Sequence, residues 1–166
     1  MSRTPAIILG IDPGTAITGY GFLADERGDM RPLDYGVIRT ASTDPLYLRL
    51  VKLYDALQEL INRHHPEAVA VEELFFARNA ASALSVGHAR GVVLLAVAQS
   101  GAALFQYKPA EVKQAVTGYG NADKRQIQEM VKLLLGLETY PQPDDAADAL
   151  AIAICHFHSA RLRAYY

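Results

Sequence analysis

The sequence predicts an α/β fold, a mixed five-stranded sheet with helices on both faces. Three extended apolar segments, 6–12, 17–24 and 35–40, follow one another through short polar links, which favours an antiparallel meander. The rest of the chain alternates strand-like segments with helical periodicity, which favours parallel strands joined by helices. The first, fourth and fifth strands are therefore predicted to be parallel, and the first and fourth to be neighbours.

Sequence features also predict each helix and strand that follows the first three strands. Apolar residues at helical spacing predict the first helix, Pro66 closes its connection, and Asn79 can cap the second. Pro109 can begin a short helix because proline fits the first helical position, and Gly136 stops the helix after it. The remaining bounds are predicted as helices Leu46–Arg63, Ala80–Ser100, Asp123–Leu135 and Asp144–Arg161, and strands 68–72 and 103–107.

Length and composition indicate one domain, residues 1–166, since 166 residues with 51% hydrophobic content can bury one sizeable core. The longest apolar run, Val92–Ala98, is too short to span a membrane, and the N-terminus has no secretory pattern, so we expect a cytoplasmic protein. The single Cys155 excludes an internal disulfide, and the histidines have no zinc spacing.

Charge is unevenly distributed along the chain. The net charge is −2, but residues 76–135 hold 7 Lys/Arg against 3 Asp/Glu, a local charge of +4. A basic region beside an acidic cluster is what a metal-dependent nuclease needs, although a solvated Lys/Arg-rich face has the same composition.

Four acidic residues are placed where a fold could gather them. Asp12 and Glu72 each end an apolar strand, while Asp145 and Asp148 open the last helix and share one of its faces. Converging carboxylates require a cation, and oxygen ligands suit Mg²⁺ or Mn²⁺ better than zinc. The alternatives are a turn aspartate before Pro13 and helix capping by the acids of the first turn.

The chain has adjacent acidic residues at two of these places, Glu72–Glu73 and Asp144–Asp145. The residue that would bind the metal is therefore open by one position in each pair. Strand alternation sends Glu72 and Glu73 to opposite faces, so at most one can point into the site, and Glu72 extends the apolar run directly. Asp144 has the position of a helix cap, and helical phase favours Asp145 as the ligand.

The opening segment Gly10–Thr15 also looks like the first phosphate loop of the actin, Hsp70 and sugar-kinase ATPases. A nucleotide-binding domain is therefore the alternative from another class. Those proteins need two such domains around the nucleotide, and this chain has room for one.

Taken together, the motifs resemble those of the RuvC family of Holliday junction resolvases, within the RNase H-like superfamily. The resemblance runs nearly end to end, through Ile8–Gly14 with Thr18–Gly21, Val71–Phe75, Asn79–Gly91, Val112–Gln114 and Asp145–Ala153. It implies an RNase H-like sheet and the catalytic and metal-binding acids Asp12, Glu72, Asp145 and Asp148, which are the acids that the spacing selects.

The resemblance further implies a homodimer that nicks two opposing strands of a four-way DNA junction and cooperates with the branch-migration motor, RuvA and RuvB. The expected cofactor is Mg²⁺, two ions per site, with Mn²⁺ as a substitute. A nuclease of the same superfamily acting on RNA or hybrid duplex is the alternative within enzymes. The helix Ala80–Ser100 is left open as either buried or the dimer contact.

Further residues are predicted to bind DNA. The resemblance favours Lys113 and Lys124 for phosphate contacts and Phe75 for stacking on an unpaired base, although adjacent aromatics such as Phe75 and Phe76 are also typical of a core. The other candidates, each also compatible with a solvated surface, are Arg78, Arg90, Lys108 and Arg125.

Overall fold

The computed structural model describes residues 4–73 and 79–165, so Phe75 and Arg78 lie outside the described residues. The described strands form one five-stranded sheet in the order β3-β2-β1-β4-β5. β1 pairs antiparallel with β2 and parallel with β4, which confirms the predicted mixed sheet and the neighbouring first and fourth strands. The strands are β1 Ala6–Asp12, β2 Ile17–Glu26, β3 Asp29–Arg39, β4 Ala68–Glu72 and β5 Ala103–Tyr107.

Helices cover both faces of the sheet, as predicted. Strand alternation sends Leu9 and Ile11 of β1 into a core with the first two helices, while Ile8 joins a second core with the last helix. The described helices are α1 Leu46–His64, α2 Ala80–Ser100, α3 Pro109–Thr117, α4 Lys124–Leu134 and α5 Asp144–Ala164.

The hairpin between β2 and β3 differs from the sequence prediction, because β3 begins at Asp29 rather than at residue 35. The polar stretch after residue 24 is a tight turn, in which Arg27 and Gly28 both have positive φ, 59° and 105°. Such a turn matches the twist of a hairpin and keeps polar residues within the strands. Pro32 lies at a register shift on this edge strand, where a missing N–H is tolerated.

Helix α2 has an unusual surface for its length. Among the described residues it is the one helix long and apolar enough to cross a membrane by length and composition, and only 22% of its most apolar window is buried. A helix of a globular protein can pass the same test. Helix α2 therefore has an exposed apolar face.

Candidate active site

The carboxyl ends of two adjacent strands form the base of the site. β1 and β4 run parallel, with Ile11 opposite Val71, so the next residues, Asp12 and Glu72, end the two strands side by side. Both carboxylates are partly buried. Open α/β sheets place their ligands at this edge, where the strand order changes direction.

Helix α5 brings the other two acids to the same place because glycines let it approach the sheet. A Cβ atom at Gly19 would lie 2.0 Å from the main-chain oxygen of Asp145, and one at Gly10 would lie 2.1 Å from that of Ala149. No other residue fits at either position without moving the helix. One carboxylate oxygen from each of Asp12, Asp145 and Asp148 lies within 4.8 Å of the others.

Burial and nearby negative charges disfavour the ionised forms of Asp12, Glu72 and Asp148. Burial, with the nearby charges of Asp148, Glu72 and Asp145, raises the pKa of Asp12 from 3.8 to about 7. Burial and Asp148 likewise raise the pKa of Glu72, and burial raises the pKa of Asp148. A divalent cation would reverse the repulsion and favour the ionised carboxylates, so this donor set fits Mg²⁺.

Helices α3 and α4 form the opposite wall of the cleft, which has a volume of about 290 Å³. Lys113 and Lys124 line this wall, facing Asp12, Glu72 and Asp148. Lys113 opposes the rise in the pKa of Glu72. Three of the four predicted acids, Asp12, Glu72 and Asp148, therefore line one cleft with two predicted lysines, and Asp145 lies beside Asp12 and Asp148.

Lys124 pairs with two acids of α5. Its ammonium lies 3.3 Å from the Asp144 carboxylate and 3.9 Å from that of Asp148. Burial alone would lower the pKa of Lys124, but Asp148, Asp144 and Asp145 together raise it. Lys124 is therefore a cation at neutral pH, and Asp144, half exposed, is paired with it at the rim.

The other predicted DNA-binding residues occupy different positions. Arg90 of α2 donates hydrogen bonds to the main-chain oxygen of Glu72 and to the side chain of Gln106, so it supports the end of β4. Lys108 is exposed immediately before α3. The side chain of Arg125 is 85% exposed and pairs with Glu129 at 3.2 Å.

Sequence reasoning missed the residues that brace the loop after Asp12. The Thr18 hydroxyl donates to the Gly14 main-chain oxygen at 2.7 Å and accepts from the Gly14 N–H at 3.2 Å. The Thr15 hydroxyl donates to the Ser85 main-chain oxygen at 2.7 Å. Ser85 comes from a distant segment, so local patterns carried no signal for its contact with Thr15. The Gly14 N–H is used within the loop, by Thr18, whereas a phosphate-binding loop presents its N–H groups to the ligand.

A mixed sheet of this topology, with carboxylates gathered at its carboxyl edge and lysines facing them, defines an RNase H-like, metal-dependent nuclease. Residues 8–156 match the family model described as crossover junction endodeoxyribonuclease RuvC. The chain belongs to the RuvC family.

Relatives with the same description cover nearly the whole chain. The crossover junction endodeoxyribonuclease RuvC of Desulfitobacterium hafniense is 57% identical over 156 residues, 94% of either chain. The one from Rubrobacter xylanophilus is 53% identical over 163 residues, 98% of this chain and 91% of its own.

Solved structures agree with the family. Thermus thermophilus RuvC, solved in complex with Holliday junction substrate, has a TM-score of 0.90 and 40% identity, covering 95% of this chain and 96% of its own. The yeast mitochondrial Holliday junction resolvase, 17% identical, shares the fold with a TM-score of 0.67, covering 95% of this chain and 82% of its own.

Proposed function

We propose that this protein resolves four-way DNA junctions by metal-dependent nicking of two opposing strands, in recombination and DNA repair. Its family is that of crossover junction endodeoxyribonucleases. The observation that carries the reaction is the convergence of Asp12, Asp145 and Asp148 beside Glu72, across a cleft from two lysines.

We propose that the acids of the cleft bind two Mg²⁺ ions, with Mn²⁺ as a substitute. Asp12 lies close to Glu72 on the neighbouring strand and to the pair on α5, so we infer that it would hold metal together with these acids. Glu72, Asp145 and Asp148 would complete the ligands. The metal that these residues would hold would supply activation of water and stabilisation of the departing oxygen of the phosphodiester. Asp12, whose pKa is raised to about 7, must lose its proton before it can bind metal.

The two lysines orient the DNA phosphates. Lys113 lies on the Glu72 side of the cleft and Lys124 on the Asp148 side, so a phosphate over the acids would meet a cation at each side. Such fixed charges stabilise negative charge that develops in the transition state. Lys124 keeps its proton because the acids of α5 raise its pKa.

Contacts outside the cleft would bind the arms of the junction. Lys108 and Arg125 are exposed near α3 and α4, which form the wall of the cleft with the two lysines, and both could bind DNA phosphates. Arg90 would act mainly by holding the main chain at Glu72. We propose Phe75 and Arg78 as further DNA contacts on the strength of the chain's family and their position just after β4.

A homodimer is the assembly that we propose, with α2 as the contact. Leu84, Gly91 and Leu95 recur on the exposed side of α2, and Leu84 and Leu95 are 63% and 53% exposed. Cβ atoms at Gly87 and Gly91 would meet nothing within 4 Å. Glycine inside a helix lowers helix stability by about 1 kcal/mol relative to alanine. Close packing of a second helix against these positions would explain why glycine is present there.

The remaining proposals derive from the family. We propose that the protein works in the cytoplasm with the branch-migration motor RuvA and RuvB, which would deliver junctions to the dimer. The two acidic clefts of a twofold dimer would match the approximate twofold symmetry of a four-way junction.

Cleavage of three matched substrates tests the proposed function. A synthetic four-way junction, a linear duplex of the same sequence and an RNA–DNA hybrid would be incubated with and without Mg²⁺. We expect paired nicks in the junction alone, and only with metal. Preferential cutting of the hybrid would support the RNase H-type alternative, and no cutting of any substrate would contradict the nuclease assignment.

A further inference from the structure

The loop that follows Asp12, residues 13–16 between β1 and β2, contains a buried threonine whose hydroxyl bonds outside the loop. Thr15 is 7% exposed, and its hydroxyl donates to the main-chain oxygen of Ser85 on α2 at 2.7 Å. The Ser85 hydroxyl in turn donates to the Thr15 hydroxyl at 2.9 Å. Two hydrogen bonds therefore join the loop after Asp12 to α2.

A second threonine holds the main chain of the same residue. The hydroxyl of Thr40, directly after β3, donates to the Thr15 main-chain oxygen at 2.6 Å. The Thr40 N–H donates to the Ala16 oxygen at 3.1 Å, and the Arg49 guanidinium of α1 donates to the Thr40 hydroxyl at 2.8 Å. The loop is thus held by α2 and, through Thr40, by the end of β3 and by α1.

The connection from Thr15 back to Asp12 is short and stiff. Pro13 limits main-chain rotation immediately after Asp12. Both main-chain groups of Gly14 are bonded to the Thr18 hydroxyl, at 3.2 Å from the N–H and 2.7 Å from the oxygen. A shift of Thr15 would therefore be transmitted to the main chain of Asp12.

Helix α2 makes a corresponding contact with the other acid-bearing strand. Arg90 donates a hydrogen bond to the main-chain oxygen of Glu72 at the end of β4. Ser85 and Arg90 lie about 7.5 Å apart along the helix, and neighbouring strands such as β1 and β4 lie about 4.8 Å apart. One helix therefore contacts both the loop after Asp12 and the end of β4.

The benefit of these contacts lies in geometry more than in stability. A buried, hydrogen-bonded hydroxyl contributes little net stability compared with an apolar side chain of the same shape, but it fixes direction. Ionised carboxylates on Asp12 and Glu72 would repel each other, whereas a metal needs their oxygens at a fixed separation. Groups that hold metal ligands in place typically account for about 10- to 100-fold in metal affinity.

We propose that Thr15 and Thr40 are positioning residues of the metal site. Their hydroxyls hold the loop after Asp12, and so keep Asp12 beside Glu72 in the arrangement that binds metal. Each threonine acts through the main chain of the loop rather than by contact with metal or DNA. The inference rests on the metal site of the function proposed above.

The shift in melting temperature on adding Mg²⁺, without DNA, tests the inference. Thr15→Val removes the hydroxyl at nearly the same shape, and Thr15→Ser keeps it. Because Thr15 acts through the main chain, we expect Thr15→Val to need about tenfold more Mg²⁺ for the same shift, and Thr15→Ser to behave as the wild type. Each shift is measured against the same protein without metal, so a purely structural loss would lower the melting temperature without changing the Mg²⁺ dependence.

Ser100→Ala is the matched control, because it removes a hydroxyl of α2 that donates to the Val97 main-chain oxygen at 2.7 Å, at the other end of the helix. It should keep the wild-type Mg²⁺ dependence. Thr40→Val should weaken Mg²⁺ binding as Thr15→Val does, and it carries the test if Thr15→Val does not fold.

Two sets of results separate the inference from the proposed function. Wild-type Mg²⁺ dependence in folded Thr15→Val or Thr40→Val, or an equal loss in Thr15→Ser, would overturn the inference. A wild-type protein that binds Mg²⁺ but cuts no junction would instead overturn the proposed function. A wild-type protein that Mg²⁺ does not stabilise would overturn both.

Discussion

At the scale of single residues, Asp12 is the most perturbed acid of the site. Asp12 ends β1, beside Glu72 at the end of β4 and the two acids of α5. This grouping was predictable because each acid ends a strand or lies at the start of a helix. The contact of Arg90 with the main-chain oxygen of Glu72 was not predictable, since it depends on how α2 packs across the end of β4. Local patterns locate charges along a chain, but tertiary packing decides what they touch.

The raised pKa of Asp12 predicts how stability depends on pH. Between pH 4 and 7 the folded, metal-free protein binds a proton at Asp12 that the unfolded chain has released, so the free energy of unfolding should fall as pH rises through this range. Thermal melts in EDTA would measure it. Asp12→Asn should have a flatter profile, and identical profiles for the two proteins would contradict the assigned pKa.

Metal binding should show the opposite pH dependence. One proton competes with metal at Asp12, so affinity for Mg²⁺ should fall by up to about tenfold per pH unit below 7. The shift in melting temperature on adding Mg²⁺ reports this directly, and it should grow from pH 6 to pH 8.

The two acidic doublets offer matched pairs of variants. We predict that Glu72→Gln and Asp145→Asn lower the cleavage rate by orders of magnitude, whereas Glu73→Gln and Asp144→Asn have much smaller effects. The structure supports this, because Asp144 pairs with Lys124 and Glu73 acts on the pKa of Arg90. Single-turnover rates on a four-way junction would decide, and equal losses within either doublet would refute the assignment.

At the scale of elements, the close approach of α5 to the sheet is what assembles the site. The alternation of strand and helix patterns predicted the elements and their parallel neighbours. It placed the start of β3 six residues late, because Pro32 and the polar turn residues conceal an edge strand. It gave no indication that Gly10 and Gly19 form the contact surface for α5, since that depends on the helix axis rather than on any local pattern.

Gly19→Ala tests this packing directly. The new Cβ would lie 2.0 Å from the Asp145 oxygen, so α5 must move, and overpacking of this kind costs about 1 to 3 kcal/mol. We expect a lower melting temperature together with loss of the stabilisation by Mg²⁺. Gly120→Ala is the control, because its nearest contact would be an ordinary 3.8 Å. Full Mg²⁺ stabilisation in Gly19→Ala would show that the acids do not depend on this approach.

At the scale of the whole molecule, the described part of the chain carries one acidic cleft, whereas resolving a junction takes two coordinated nicks. The exposed apolar side of α2 is the surface through which we propose that a second copy binds. The sequence alone left α2 as either core or contact, because its apolar residues surround the helix and periodicity could not separate the faces.

Replacing an apolar residue of that face should separate the dimer. We predict that Leu95→Glu is monomeric at micromolar concentration by analytical ultracentrifugation, since a buried unpaired charge at a contact costs several kcal/mol. Leu133→Glu, on α4 and at 72% the more exposed leucine, should remain dimeric. A monomeric wild-type protein, both free and bound to a junction, would eliminate the dimer.

We infer that the carboxylates of the cleft cut DNA, whereas Lys113, Lys124 and the exposed cations near them bind it. The most direct measurement is strand-by-strand mapping of cuts in a four-way junction, with junction affinity measured in parallel, for the wild type and Asp12→Asn. We predict symmetric nicks in two opposing strands by the wild type with Mg²⁺, none by Asp12→Asn, and similar affinity for both. Nicking by Asp12→Asn at the wild-type rate would contradict the account.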